Sequence, residues 1–95
     1  MSKVVWKFDL ALTRRQKIAM PYDAKILCVQ VQRLEPKLWA LVDLELFEKY
    51  GRDLRTIDIY GTGHDLNMHP GNYVGTFQTD DGTFVWHLFE GSPDE

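Results

Sequence analysis

Ile57-Asp58-Ile59-Tyr60-Gly61-Thr62-Gly63-His64-Asp65 is the stretch on which the reading of this chain turns. It begins as an alternating strand, the period-two pattern of a half-buried element. Two glycines stop it and open the longest polar connection in the sequence, from Gly61 to Asn72. The strand supplies a scaffold, the glycines a turn, and the loop most of the chemically capable side chains.

The same alternation recurs along the chain. Val4, Trp6, Phe8 and Leu10 point one way while Val5, Lys7 and Asp9 point the other. Gln16 to Met20 reads as a short strand ended by Pro21. Lys25 to Gln32 places Leu27, Val29 and Val31 on one face and Ile26, Cys28, Gln30 and Gln32 on the other. Glu35-Pro36 reads as a turn, after which Lys37 to Asp43 returns as the second arm of a hairpin. Leu38, Ala40 and Val42 share one of its faces, and Trp39 and Leu41 the other.

Asp43 is placed to cap a short helical turn with Leu44, Phe47 and Tyr50 on one side, ended by Gly51. Leu54 to Tyr60 resumes the strand pattern. Tyr73 to Thr79 and Thr83 to Glu90 form two more strands around Asp80-Asp81-Gly82, which predicts a three-residue hairpin with glycine left-handed. The fold expected is all-β, or β-rich with one short helix: a small antiparallel sandwich or roll of about six or seven strands. Residues 1–90 form one domain and 91–95 a flexible acidic C-terminal tail.

Pairing Thr79 with Thr83 sets Phe77 opposite Val85, Gly75 opposite His87 and Tyr73 opposite Phe89. One face then carries Tyr73, Phe77, Val85 and Phe89 around a gap at Gly75, beside the His87 imidazole. The other carries Val74, Phe84, Trp86 and Leu88. A chain of 95 residues buries only about 60–65% of its unfolded surface. Either the two sheets and the helical turn absorb these apolar faces, or the surplus forms a homo-oligomer or partner interface.

Composition excludes several classes. Apolar residues are 44% and charged residues 26%, ordinary for a globular chain. A net charge of −3 is too weak for DNA mimicry and has the wrong sign for a general phosphate binder, so nucleic acid is not an expected partner. The single Cys28 suits a reducing cytosol. No apolar run approaches the roughly 20 residues of a membrane span. The expected location is cytoplasmic, with no membrane partner.

Among candidate site residues, His64, Asp65 and His69 share one loop but match no zinc spacing, so neither a metal nor another cofactor is expected. Gly61-Thr62-Gly63 lacks the ending of a phosphate loop. Tyr60, Thr62, Tyr73, Gly75, His87, Trp39 and Trp86 complete the ligand- or partner-binding set, with His87 over Gly75 as a candidate notch. Arg14 and Arg15, and Arg52 and Arg55, are two basic spots able to hold an anion or an acidic partner, or simply solvated. No nucleophile stands beside a base, so no catalytic residue is assigned.

Trp6-Lys7-Phe8, Met20-Pro21, Ala24-Lys25-Ile26-Leu27, Val29-Gln30-Val31-Gln32 and Leu38-Trp39-Ala40-Leu41-Val42-Asp43 carry a resemblance. So do Ile59-Tyr60-Gly61-Thr62-Gly63-His64, Gly75-Thr76-Phe77 and Phe84-Val85-Trp86-His87-Leu88-Phe89-Glu90. Together they resemble a family of short uncharacterised proteins encoded mainly by tailed bacteriophages and prophages. Asp65 and the long Leu44 to Asp53 stretch depart from that pattern. The resemblance implies a genomic setting and no activity. The function expected is a phage accessory protein acting by non-covalent binding, sequestering or blocking a host factor or small ligand, in an anti-defence role and as a homo-oligomer. The alternatives are a metal-dependent hydrolase using His64, Asp65 and His69, and a virion or assembly component.

Overall fold

In the computed structural model, which describes residues 2–66 and 70–92, seven strands and one helix follow in order. They are β1 (Lys3–Asp9), β2 (Arg15–Pro21), β3 (Lys25–Gln32), β4 (Glu35–Asp43), α1 (Leu44–Tyr50), β5 (Arg52–Gly61), β6 (Asn72–Thr79) and β7 (Phe84–Glu90). The strands pair antiparallel into two sheets, β1-β4-β3 and β2-β5-β7-β6. The β-rich class read from alternation therefore holds.

The inner faces meet in one cluster: Val29, Leu38, Ala40 and Val42 from the first sheet, and Met20, Ile57, Ile59, Phe77 and Leu88 from the second. Their side chains recur at every second position, so one register per strand buries a whole set. The expected split in β4 holds, with Leu38, Ala40 and Val42 buried and Trp39 and Leu41 half-buried outside. Asp43 caps α1, accepting from the Glu45 and Leu46 N–H groups at 3.0 and 3.1 Å. Leu44 and Phe47 pack against the core, and Phe47 meets Trp6 edge-on with ring centroids 5.4 Å apart. Tyr50 leaves that side and lies against Tyr22.

Three local expectations are corrected. The β3–β4 turn is Arg33-Leu34, both at positive φ (51° and 70°), between the closing pair Gln32–Glu35. Pro36 lies inside β4, not in the turn. It precedes the last β1 partner pair, Asp9–Lys37, so its missing N–H is not asked to serve β1. In β3, a bulge between Ile26 and Cys28 reverses the face. Ile26 now joins Val29 against the core, while Leu27 turns out to solvent.

The largest correction concerns β6 and β7. Thr79 pairs with Phe84 rather than Thr83, because Asp80, Asp81 and Gly82 all take positive φ (53°, 55° and 87°) in a four-residue loop. One residue of slip exchanges faces. Phe77 now opposes Trp86, Gly75 opposes Leu88, and His87 opposes Thr76. This register sends Phe77, Trp86 and Leu88 to the core side together, beside Ile59 and Gly61 of β5. A bulge between Tyr73 and Gly75 then resets the ladder, so the expected Tyr73–Phe89 pair survives.

Gly75 consequently opens no notch beside His87. A Cβ there would stand 2.8 Å from Cγ1 of Val29, so the glycine lets β6 close onto β3 of the other sheet. Gly75→Ala should lower stability by about 1–3 kcal/mol through overpacking. Adding Val29→Ala should recover part of the loss, giving a coupling of at least about 0.5 kcal/mol in a double-mutant cycle read by urea unfolding. Strict additivity of the two changes would contradict this contact.

Candidate functional site

The β7 register arranges the outer face of the four-stranded sheet as rows running across the strands. One row is Arg15, Asp58, Phe89 and Tyr73; the next holds Tyr60, His87 and Thr76. Alternation places Asp58 and Tyr60, and His87 and Phe89, on one face, and the bulge between Tyr73 and Gly75 brings Tyr73 to the same face as Thr76. Phe89 stands at the centre of an aromatic line. Its ring is edge-on to Tyr60 at 5.8 Å and to Tyr73 at 5.5 Å. Tyr60 is buried, Phe89 half-buried and Tyr73 60% exposed, so the line rises from the sheet into solvent.

His87 sits between two hydroxyls. Its Nε2 is 2.7 Å from Thr62 Oγ1, and its Nδ1 is 2.9 Å from Thr76 Oγ1. Thr76 in turn meets the Tyr73 hydroxyl at 2.6 Å, and Thr62 Oγ1 donates to the Val85 carbonyl at 3.3 Å. Since a carbonyl only accepts, Thr62 spends its proton on Val85 and Nε2–H donates to Thr62. In the neutral ring Nδ1 then accepts from Thr76, and Thr76 from Tyr73. With Nε2 carrying the proton, the imidazole faces Thr62 as a donor and is not disposed to take its hydroxyl proton. The chain fixes the orientation of the Tyr73, Thr76, His87 and Thr62 side chains.

The base of the face is ionic. Asp58 is 1% exposed and would be intolerable alone on a central strand. Arg15, directly opposite in β2, grips it with two bonds of 2.6 and 2.9 Å, and Arg14 adds a third of 3.0 Å. The Arg14 guanidinium also lies 4.1 Å over the Tyr60 ring. Burial pushes the Asp58 carboxyl up, but the Arg15 hydrogen bonds and charge, followed by those of Arg14, more than offset it. The net result lies below the usual carboxylate range.

At the Gly61 end of β5, the His64 N–H closes a turn onto the Gly61 carbonyl. The His64 ring lies over Gly61 and accepts from its N–H at 3.3 Å; a Cβ on Gly61 would overlap that ring. His64, Gly61 and Trp86 separate two shallow clefts of about 300 and 320 Å³, one walled by Arg14, Tyr60 and Asp65, the other by Thr62 and Phe84. Trp86 donates to Thr79 from the inner side. His69 lies outside the described residues.

The remaining candidates lie elsewhere. Trp39 sits on the outer face of the other sheet, under the Lys7 ammonium. Arg55 is clamped to Glu90 and donates to the Ala24 carbonyl. Arg52 lies over Phe47 and Trp6. Asp58, Thr76 and Phe89 join the site without having been singled out. Asp58 could have been found, since a carboxylate flanked by two isoleucines in a strand needs a cation, and Arg14-Arg15 stand together at the start of β2. Among the described residues, no three His, Cys, Asp or Glu side chains gather as a metal site. No helix there is long and apolar enough to cross a membrane.

A family model described as a domain of unknown function, DUF7352, matches residues 1–95, and the chain belongs to that family. No curated protein and no solved structure matches.

Asp58 sets a pH dependence. Its depressed pKa means that its stabilisation is complete above the unfolded carboxylate value of about 4 and is lost as pH falls through the lower folded value. Asp58→Asn should cost about 2–3 kcal/mol at pH 7. The gap to wild type should shrink as the pH drops below about 4. Urea unfolding across pH checks this; equal stabilities at neutral pH, or a gap indifferent to acid, would contradict it.

Proposed function

We propose that this DUF7352 protein acts by non-covalent binding, and that its recognition surface is the outer face of the four-stranded sheet. The observation that carries the reading is the line Tyr60–Phe89–Tyr73 beside the chain Tyr73–Thr76–His87–Thr62. An aromatic ring open to solvent yet held by its own hydroxyl is a low-entropy contact of the kind binding surfaces favour. Neighbouring hydroxyls and the Arg14 guanidinium add polar specificity at the rim.

In this reading the protein is a phage-encoded accessory factor in the host cytoplasm, working as a homo-oligomer. It occupies a host factor or small ligand rather than transforming it, in an anti-defence role. Support for the setting comes from the Tyr60-Gly61-Thr62-Gly63-His64 run and the other stretches that resemble phage proteins. Support for self-association comes from apolar side chains left outside the core, including Val5, Leu27, Leu54 and Phe84.

The test is a nuclear magnetic resonance titration of labelled protein with a nucleotide panel and with fractions of host extract. Shifts should cluster on Tyr73, Thr76, His87 and Phe89. Tyr73→Ala and His87→Ala should each weaken binding about tenfold, while Leu34→Ala in the exposed β3–β4 turn should leave it unchanged. Absence of any ligand that moves those resonances, or equal loss in Leu34→Ala, would contradict the assignment.

A further inference from the structure

The sheets end in four edge strands, β1, β3, β2 and β6. Exposed edges invite pairing with other chains, and proteins blunt them with bulges, prolines or cover. Three of these edges are blunted. β3 and β6 each carry a bulge and close on one another at Val29 and Gly75. β2 ends in Pro21. β1 has no bulge and no proline, and its charges, Lys3, Lys7 and Asp9, are of both signs: it pairs with β4 over seven consecutive residues without a register shift. Among the described residues, no backbone hydrogen bond outside that ladder involves it.

Two further observations say what would cover this edge. First, the core-facing side chains of β1, Val4, Trp6 and Phe8, pack on the core yet remain only half-buried, the state expected of a layer open on one flank. Second, the strand is self-complementary in charge. Antiparallel self-pairing centred on Trp6 sets Lys3 of one copy opposite Asp9 of the other, twice over. It also sets Val4 opposite Phe8, and Val5 opposite Lys7. Sliding two residues one way brings Lys3 against Lys7; sliding the other way brings Lys7 against itself. Opposite charges across a ladder stabilise and like charges destabilise, so one register is selected. Within its own chain Asp9 accepts from Lys37 at 2.7 Å yet stays 88% exposed, open to a second cation.

We propose that β1 pairs antiparallel with β1 of a second copy about Trp6, joining two three-stranded sheets into one of six strands. This rests on the homo-oligomer reading above and gives it an interface. The pairing supplies partners for the free β1 edge and covers Val4, Trp6 and Phe8 with their own counterparts. A single seven-residue strand pair falls short of the roughly 800 Å² per partner of a standard interface, so the dimer is a reversible one.

Sedimentation analysis of the full chain over a wide range of protein concentration tests the assignment through a charge swap. Lys3→Glu sets a second carboxylate against Asp9, and Asp9→Lys sets a second ammonium against Lys3. Either variant alone should therefore dimerise about tenfold more weakly. An equimolar mixture of the two puts opposite charges at both sites again and should dimerise like wild type. Both positions are solvent-exposed, and thermal melting checks that each variant is folded. A wild-type chain that stays monomeric overturns both this interface and the oligomer reading. A wild-type dimer that ignores the substitutions, or variants not rescued by mixing, overturns the β1 interface and leaves the oligomer reading standing.

Discussion

β7 lies between β5 and β6, and its registration against both is the constraint on which the rest of the molecule depends. A strand offers two faces, and a shift of one residue exchanges them. With Leu88 opposite Ile59 and Trp86 opposite Phe77, the apolar set of three strands falls on one side and closes the core. The same choice puts His87 beside Tyr60 and Thr76, and Phe89 between Asp58 and Tyr73. The core and the make-up of the outer face are thus two consequences of one alignment.

That alignment is held from several directions. The β6–β7 loop takes an extra residue by placing Asp80 and Asp81 in the left-handed region, a local cost offset by burial of Phe77 and Leu88. The bulge before Gly75 lets Tyr73 return to the outer face, and Gly75 itself lets β6 approach Val29. On the other flank, Asp58 ties β5 to Arg15 of β2 and to Arg14 just before it. Beneath them, the Gly91 N–H bonds to the Thr56 carbonyl, so the backbone past Glu90 is held to β5 as well.

Periodicity made the elements legible: every strand and the Asp43-capped helix could be read from spacing, since alternation and capping are local. What was not legible depended on events off the local pattern. The bulge at Ile26 reversed half of β3, and the left-handed pair Arg33-Leu34 made a turn from residues that carry no turn signature. Asp80-Asp81-Gly82 announced a hairpin but not its length, and that single residue decided which side chains met His87. Of the residues singled out from the sequence, Tyr60, Thr62, Tyr73 and His87 lie together. Gly75 and Trp39 belong to other surfaces. Asp58 was not picked out, although a carboxylate between Ile57 and Ile59 needs a counter-charge and Arg14-Arg15 offered one.

The most direct measurement is the set of cross-strand nuclear Overhauser contacts of β7. Contacts are expected from His87 to Thr76 and Tyr60 across the two ladders, and from its ring to the Thr62 methyl. Contacts from the His87 backbone to Gly75 in place of Thr76, with Phe77 against Val85, would mean that the faces are exchanged and that Tyr60, Thr76, His87 and Phe89 do not share the outer face.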